Sequence, residues 1–241
     1  FAHLCENYAT QLSLPANSQA LEIGSGAGVV ARALAARSDV LGHVTGIDQS
    51  PAFVEIAQGL AEQEKLGDRL DFEVGDVHVL PFEAERFDAV IAHTLISHVA
   101  DPAAVLKEAG RVLKPSGKLV IFDGDYASLT YAFDDAEAGR HMDWALATAT
   151  FNDPLVMRRL PQLLPEAGFE VIDTIADVVS EIGTGSYFRS MAETYAPLIS
   201  EAGLVAASDV TAWLDFQRDA MESGRFFASC NYYSVIAQRL Q

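Results

Sequence analysis

Ala20-Leu21-Glu22-Ile23-Gly24-Ser25-Gly26-Ala27-Gly28-Val29-Val30 joins a short apolar run, one acid, three glycines at alternate positions and the opening of a helical pattern. Such a stretch reads as a strand that hands a small-molecule ligand to a helix N-terminus. Glycine suits the turn because a side chain would hold the backbone away from the ligand, and because tight strand-to-helix turns often need positive φ. Glu22 stands where a cation would be welcome. Taken alone the turn is also compatible with a purely structural role, so the segments around it decide.

Upstream, Leu4, Tyr8 and Leu12 lie at helical spacing over residues 2–12, and Pro15 closes that helix before a strand at 20–23. Downstream the pattern alternates. A helix is expected over 29–36, a strand over 43–48, and a helix from the Ser50-Pro51 cap signal to about residue 64. Strands follow at 69–74, 87–92 and 118–123, with a helix from Asp101-Pro102 to residue 113 between the last two. Strands separated by helices imply right-handed crossovers and a doubly wound parallel α/β sheet covered on both faces. The second half breaks this rhythm: a stretch rich in Ala, Asp and aromatics follows Tyr126, then a helix ending at Glu166-Ala167-Gly168. A strand over 169–179, amphipathic helices over 187–200 and 209–222 and a last strand over 226–240 complete the reading. With no repeat and no Pro/Gly/Ser-rich linker, the economical description is a single domain over 1–241. Its core covers about 15–125, its cap about 126–225, and the last strand about 226–240.

Composition narrows the partners. The 241 residues are 50% hydrophobic, enough for a substantial core. Lys and Arg number 16 against 34 Asp and Glu, a formal charge of -18, and no basic cluster offers a footprint for phosphates. Nucleic acid and anionic membrane surfaces are therefore not expected partners. Cys5 and Cys230 give neither a disulfide framework nor a metal-ligand spacing, so both are expected as reduced, packed residues in a cytoplasmic protein with no metal. No apolar run approaches the roughly 18 to 20 residues of a membrane-spanning helix. The sequence opens at Phe1 rather than Met and is read as incomplete at that end.

Ligands of doubly wound sheets bind beyond the carboxyl ends of the strands. Those ends read Glu22 with the glycine turn, Gly46-Ile47-Asp48-Gln49, Val74-Gly75-Asp76-Val77 and Ile91-Ala92-His93. Asp48, about 20 residues beyond the turn, is placed either to accept from a ribose hydroxyl pair or to partner the helix opened by Ser50-Pro51. Asp76 is read as an acceptor for an exocyclic amine such as adenine N6, with Val77 N–H on a ring nitrogen, or as turn chemistry in Gly75-Asp76. Gly26-x-Gly28-x-x-Ala31 also matches a dinucleotide fingerprint in a shifted register, but a pyrophosphate disfavours the carboxylates gathered here. A ligand with sugar, adenine and net positive charge, such as S-adenosylmethionine, suits the mouth better.

Six segments then bear a resemblance. Residues 21–28 (Leu-Glu-Ile-Gly-Ser-Gly-Ala-Gly), 46–50 (Gly-Ile-Asp-Gln-Ser), 75–82, 87–92, 96–102 (Ile-Ser-His-Val-Ala-Asp-Pro) and 112–119 resemble, in order, the motifs of class I S-adenosylmethionine-dependent methyltransferases. The ubiquinone/menaquinone-biosynthesis-like small-molecule branch is the nearest in flavour. The resemblance implies a Rossmann-like sheet of order 3-2-1-4-5-7-6 with the seventh strand antiparallel. It implies the methionine moiety over Gly24, Ser25, Gly26 and Gly28 with Glu22 near its ammonium, Asp48 on the ribose, and Gln49 beside the adenosine. Gly75, Asp76 and Val77 would meet adenine, and His93 the methionine end and the substrate. His93 stands where relatives often carry a small polar residue, and Ser97-His98 where they often read His-His. Beyond residue 123 the resemblance thins, and 183–225 would be an insertion roofing the acceptor pocket.

Methyl transfer from a sulfonium needs chiefly proximity and orientation, with a base only if the acceptor must lose a proton. His93 is the candidate for that role, and His98, Asp125, Tyr126 and His141 are candidates on the substrate side. Bland readings stand beside these: His98 packing beneath the next helix, Asp125 and His141 simply solvated, and the aromatics of the second half serving as core. A binder that moves no methyl group, and a nicotinamide-dependent oxidoreductase, are the alternative functions.

Overall fold

The computed structural model describes Leu12, residues 14–15, 17–37 and 41–240. The helix expected over 2–12 lies, apart from Leu12, outside the described residues, as does Cys5.

The elements run β1 (Ser18–Ile23), α1 (Val29–Ala36), β2 (Leu41–Asp48), α2 (Pro51–Gln63), β3 (Leu70–Val74), β4 (Phe87–His93), α3 (Pro102–Val112) and β5 (Leu113–Tyr131). Then come α4 (Ala136–Thr150), α5 (Val156–Glu166), β6 (Phe169–Gly183), α6 (Tyr187–Glu201), α7 (Ala207–Glu222) and β7 (Phe226–Arg239). The sheet has seven strands in the order β3-β2-β1-β4-β5-β7-β6. The pairs β1–β2, β1–β4, β2–β3 and β4–β5 are parallel. β7 descends as β5 ascends: Ala132 N–H donates to Phe227 O, whereas Gln238 Nε2 reaches Ser116 O, so the seventh strand is antiparallel. Doubly wound topology and strand order agree with the sequence reading.

Local chemistry explains the elements around the turn. Leu21 and Ile23 of β1 are 0% and 1% exposed, and Val44 and Ile47 of β2 are fully covered, as central parallel strands require. α1 buries Val30, Ala31, Leu34 and Ala35, and α2 buries Val54, Ala57 and Ala61, each a single stripe at helical spacing packed on β1–β3. Ser50 Oγ accepts from Phe53 N–H and Asp101 Oδ1 from Ala104 N–H, each followed by proline at the first helical position.

The chain forms two compact units. The first holds the described residues up to Asp123 together with Arg159–Ile175 and the chain from Ser234 onward; the second holds Gly124–Arg158 and Ala176–Tyr233. Three boundaries depart from expectation. β5 does not stop at Asp123 but continues to Tyr131, because Ala132 and Ser128 find partners in Phe227 and Asn231 that a Gly-Asp dipeptide does not announce. β6 continues to Gly183, and the stretch after Tyr126 contains α4, capped by Asp135 on Glu137 and Ala138 N–H.

Candidate functional site

Parallel register sets the site in the first unit. Ile23 pairs with both Ile47 and Ala92, Asp48 pairs with Val74, and His93 pairs with Phe122. Neighbouring strands lie about 4.8 Å apart, so Gly24, Asp48, Gly75 and His93 leave one edge of the sheet in a row. The chain order reverses between β1 and β4, the switch point at which such sheets bind ligands.

The turn after β1 is built on left-handed glycines: Gly24, Gly26 and Gly28 have φ of 69°, 50° and 75°. Gly28 caps α1, and a Cβ there would lie 2.4 Å from Phe72 Cζ, so only glycine lets the helix start this close to β3. A Cβ on Gly26 would meet nothing within 4 Å; the space beside it is open. Ser25 N–H donates to Ile47 O at 2.9 Å and Gly28 N–H to Ser25 O at 2.8 Å. Ser25 is 5% exposed, yet its Oγ has no hydrogen-bond partner among the described residues.

Two carboxyls brace this turn. Asp48 Oδ2 accepts from Gly26 N–H at 2.8 Å and Oδ1 from Ser50 N–H at 2.9 Å, joining the glycine turn to the cap of α2. Glu22 is 2% exposed and accepts from Ala31 N–H at 2.7 Å. Burial pushes its pKa up to about 8, against the Ala31 hydrogen bond and with the help of the Asp48 charge. The standing negative charge expected at Glu22 is therefore largely absent near neutral pH, because the carboxyl turns into the fold. Arg32 is taken up by Glu64 and by Gly28 O.

Gly75 N–H donates to Asp48 O at 3.0 Å. Asp76 is exposed and its Oδ1 accepts from His78 N–H at 2.9 Å and lies 2.7 Å from His78 Nδ1, contacts that hold its carboxyl below the usual range. The turn chemistry foreseen for Gly75-Asp76 is thus present. Val77 is buried and Gln49 exposed. His93 is half-buried and stacked on Phe122, centroids 4.6 Å apart at 19°, and burial pushes its pKa down to about 4. It is neutral near pH 7. His98 is exposed, its N–H on Leu95 O.

The other substrate-side candidates belong to the second unit. Asp125 is not simply solvated: it is 6% exposed and holds Arg158 through Nε at 2.9 Å and Nη2 at 2.8 Å. Tyr126 is buried, stacked on Phe151 with centroids 3.4 Å apart at 13°. His141 is exposed on α4. Sequence reasoning passed over Asp123, fully buried and accepting from Ser97 N–H and Oγ at 2.9 and 3.0 Å; reading the carboxyl end of a fifth strand as well as four would have found it. It also passed over Asp143, which burial pushes up to about 7. Among the described residues no three His, Cys, Asp or Glu side chains converge as a metal site would require, and no helix is long and apolar enough to cross a membrane.

A methyltransferase domain family matches residues 21–121. An uncharacterized 37.1 kDa protein of transposon Tn4556 from Streptomyces fradiae is 33% identical over 221 residues, 91% of this chain and 62% of that protein. A ubiquinone biosynthesis O-methyltransferase from Coxiella burnetii is 34% identical over 99 residues, 41% of this chain and 40% of its own length. The chain thus spans less than two thirds of the length of these curated relatives. Among solved structures it resembles the 4+2 cyclase SpnF, with a TM-score of 0.65 at 22% identity over 99% of this chain and 81% of that one.

Proposed function

We propose that this chain, whose residues 21–121 match a methyltransferase domain family, is an S-adenosylmethionine-dependent methyltransferase acting on a small molecule. The observation that carries the reading is the row of strand ends in which Glu22 and Asp48 brace a glycine turn left open at Gly26. The donor and acceptor set fits the cofactor. Ser25 Oγ is buried without a partner among the described residues, and Asp48 keeps acceptor capacity after its two N–H contacts. A pyrophosphate would meet carboxyl groups where it needs donors.

The cofactor supplies an electrophilic methyl group on a sulfonium, open to in-line displacement. This chain binds it, orients it and keeps water away. Gly24, Ser25, Gly26 and Gly28 admit its methionine part, Asp48 accepts from its ribose hydroxyls, Gln49 lies beside its adenosine, and Gly75, Asp76 and Val77 hold its adenine. Glu22 would lie beside its ammonium, where the nearby positive charge would favour the carboxylate form against the burial that raises its pKa. His93 is unprotonated near pH 7 and is the candidate to take a proton from an acceptor that must lose one, as a base weakened by the burial that lowers its pKa to about 4. His98, Asp125, Tyr126 and His141 are assigned to the acceptor side. The whole chain then works as one methyltransferase domain, core about 15–125 and cap about 126–225. A cytoplasmic setting belongs to the same reading.

Incubation with methyl-labelled S-adenosylmethionine and a panel of hydroxylated small molecules tests the proposal. Acceptor-dependent S-adenosylhomocysteine with label in the organic product is expected. Cofactor binding with no label transferred to any acceptor would overturn the proposal in favour of a fold that binds the cofactor without spending its methyl.

A further inference from the structure

The chain leaves β4 through a turn that its residues do not favour by themselves. Thr94 has φ of 49°, a left-handed conformation that a β-branched residue adopts only when its surroundings impose it. Those surroundings are in place. Thr94 N–H donates to Phe122 O at 2.7 Å and Thr94 Oγ1 to His93 O at 2.8 Å. Three residues on, Ser97 gives both its N–H and its hydroxyl to the two oxygens of Asp123, and Ser97 and Asp123 are both fully buried. His98 N–H closes the turn on Leu95 O at 2.8 Å.

The result falls on Leu95. Its Cδ1 lies 2.5 Å from where a Cβ on Gly24 would stand, and its Cδ2 and Cγ 3.1 Å from it, so the leucine rests on the bare α-carbon of the first turn glycine. At the other end, Phe72 fills the space that a Cβ on Gly28 would need. Gly26, between them, has nothing within 4 Å of its Cβ direction. Three left-handed glycines are the most mobile backbone a chain can offer, and a precise ligand cradle needs them held. We propose that Leu95 is a positioning residue for the glycine turn, pressed onto Gly24 by the strained 94–98 turn that the buried Asp123 carboxylate latches at Ser97. Leu95 and Phe72 then grip the turn at its two ends and leave Gly26 open to a ligand. The purpose of this grip rests on the proposed function; its existence does not.

Amide hydrogen exchange on the unliganded full chain tests it. In Leu95→Ala the amides of Ser25, Gly26 and Gly28 exchange about tenfold faster than in the native chain while those of Leu21 and Ile91 hold their rates, because local opening is freed without loss of the sheet. Leu95→Met restores native rates, and Ser97→Ala gives acceleration at the same three amides through the latch. Acceleration in Leu95→Ala of less than about threefold at those amides, or acceleration shared equally by Leu21 and Ile91, overturns the proposal. Calorimetric titration of the native chain with S-adenosylhomocysteine is the separate arm: failure to bind defeats the methyltransferase reading and leaves the exchange result to decide the grip.

Discussion

Glu22 carries into the folded state a carboxyl group that is 2% exposed, with Ala31 N–H as donor and the Asp48 charge nearby. Its pKa rises from 4.5 to about 8, burial being the largest cause. The folded chain therefore keeps a proton that the unfolded chain releases. The stability this contributes is fully present below 4.5 and is lost as the pH rises through about 8, with a slope of at most about 1.4 kcal/mol per pH unit. Urea unfolding of the native chain and Glu22→Gln between about pH 5 and about pH 8 checks this: the native chain loses ground to the variant as pH rises. A difference between the two that is flat in pH contradicts it. Asp143 titrates in the same direction but is common to both chains. The position of Glu22 at a strand end was legible in the sequence, but its charge state was not, because that is set by how completely Leu21, Ile23 and the first turn of α1 close around it. His93 repeats the lesson: its place was readable, but its depression to about 4 follows from burial against Phe122.

At the level of elements, α6 begins without a cap of its own. Ser186 makes no side-chain cap bond there; instead Glu181, near the end of β6, accepts from the N–H groups of Ser186, Tyr187 and Phe188 at 2.9, 3.0 and 2.9 Å, and from Ser186 Oγ. A carboxylate on the first turn satisfies orphan donors and meets the positive end of the helix dipole. Glu181→Ala should cost about 1 kcal/mol and raise exchange at those three amides, whereas unchanged exchange would show that water caps the helix equally well. Nothing in the local sequence announces this cap, since the donor group and the acceptor come from different elements. The missed α4 has another cause: its alanines and Gly139 blur the apolar stripe, although the Asp135 cap was readable. β5 ran past Asp123 because long-range pairing outweighed a turn-like Gly-Asp. By contrast α1, α2 and α3 were legible, since each has a start signal and one clean apolar stripe.

At the level of the molecule, legibility follows the motifs. Residues 20–123 carry the ordered motifs on which the methyltransferase resemblance rests, so strand order, glycine turn and carboxyl positions could all be read ahead of the structure. Gly124–Arg158 and Ala176–Tyr233 form the second unit, where aromatic side chains pack on one another and the sequence gives no sign of what they face. The charge of -18 acts over the whole surface and favours a cationic guest over a dinucleotide. Titration calorimetry of the native chain and Asp48→Ala with S-adenosylmethionine, and of the native chain with NAD(P), weighs the two directly. A single site in roughly the micromolar range for S-adenosylmethionine, abolished in Asp48→Ala, is the predicted result; tight binding of NAD(P) with none of S-adenosylmethionine would contradict it.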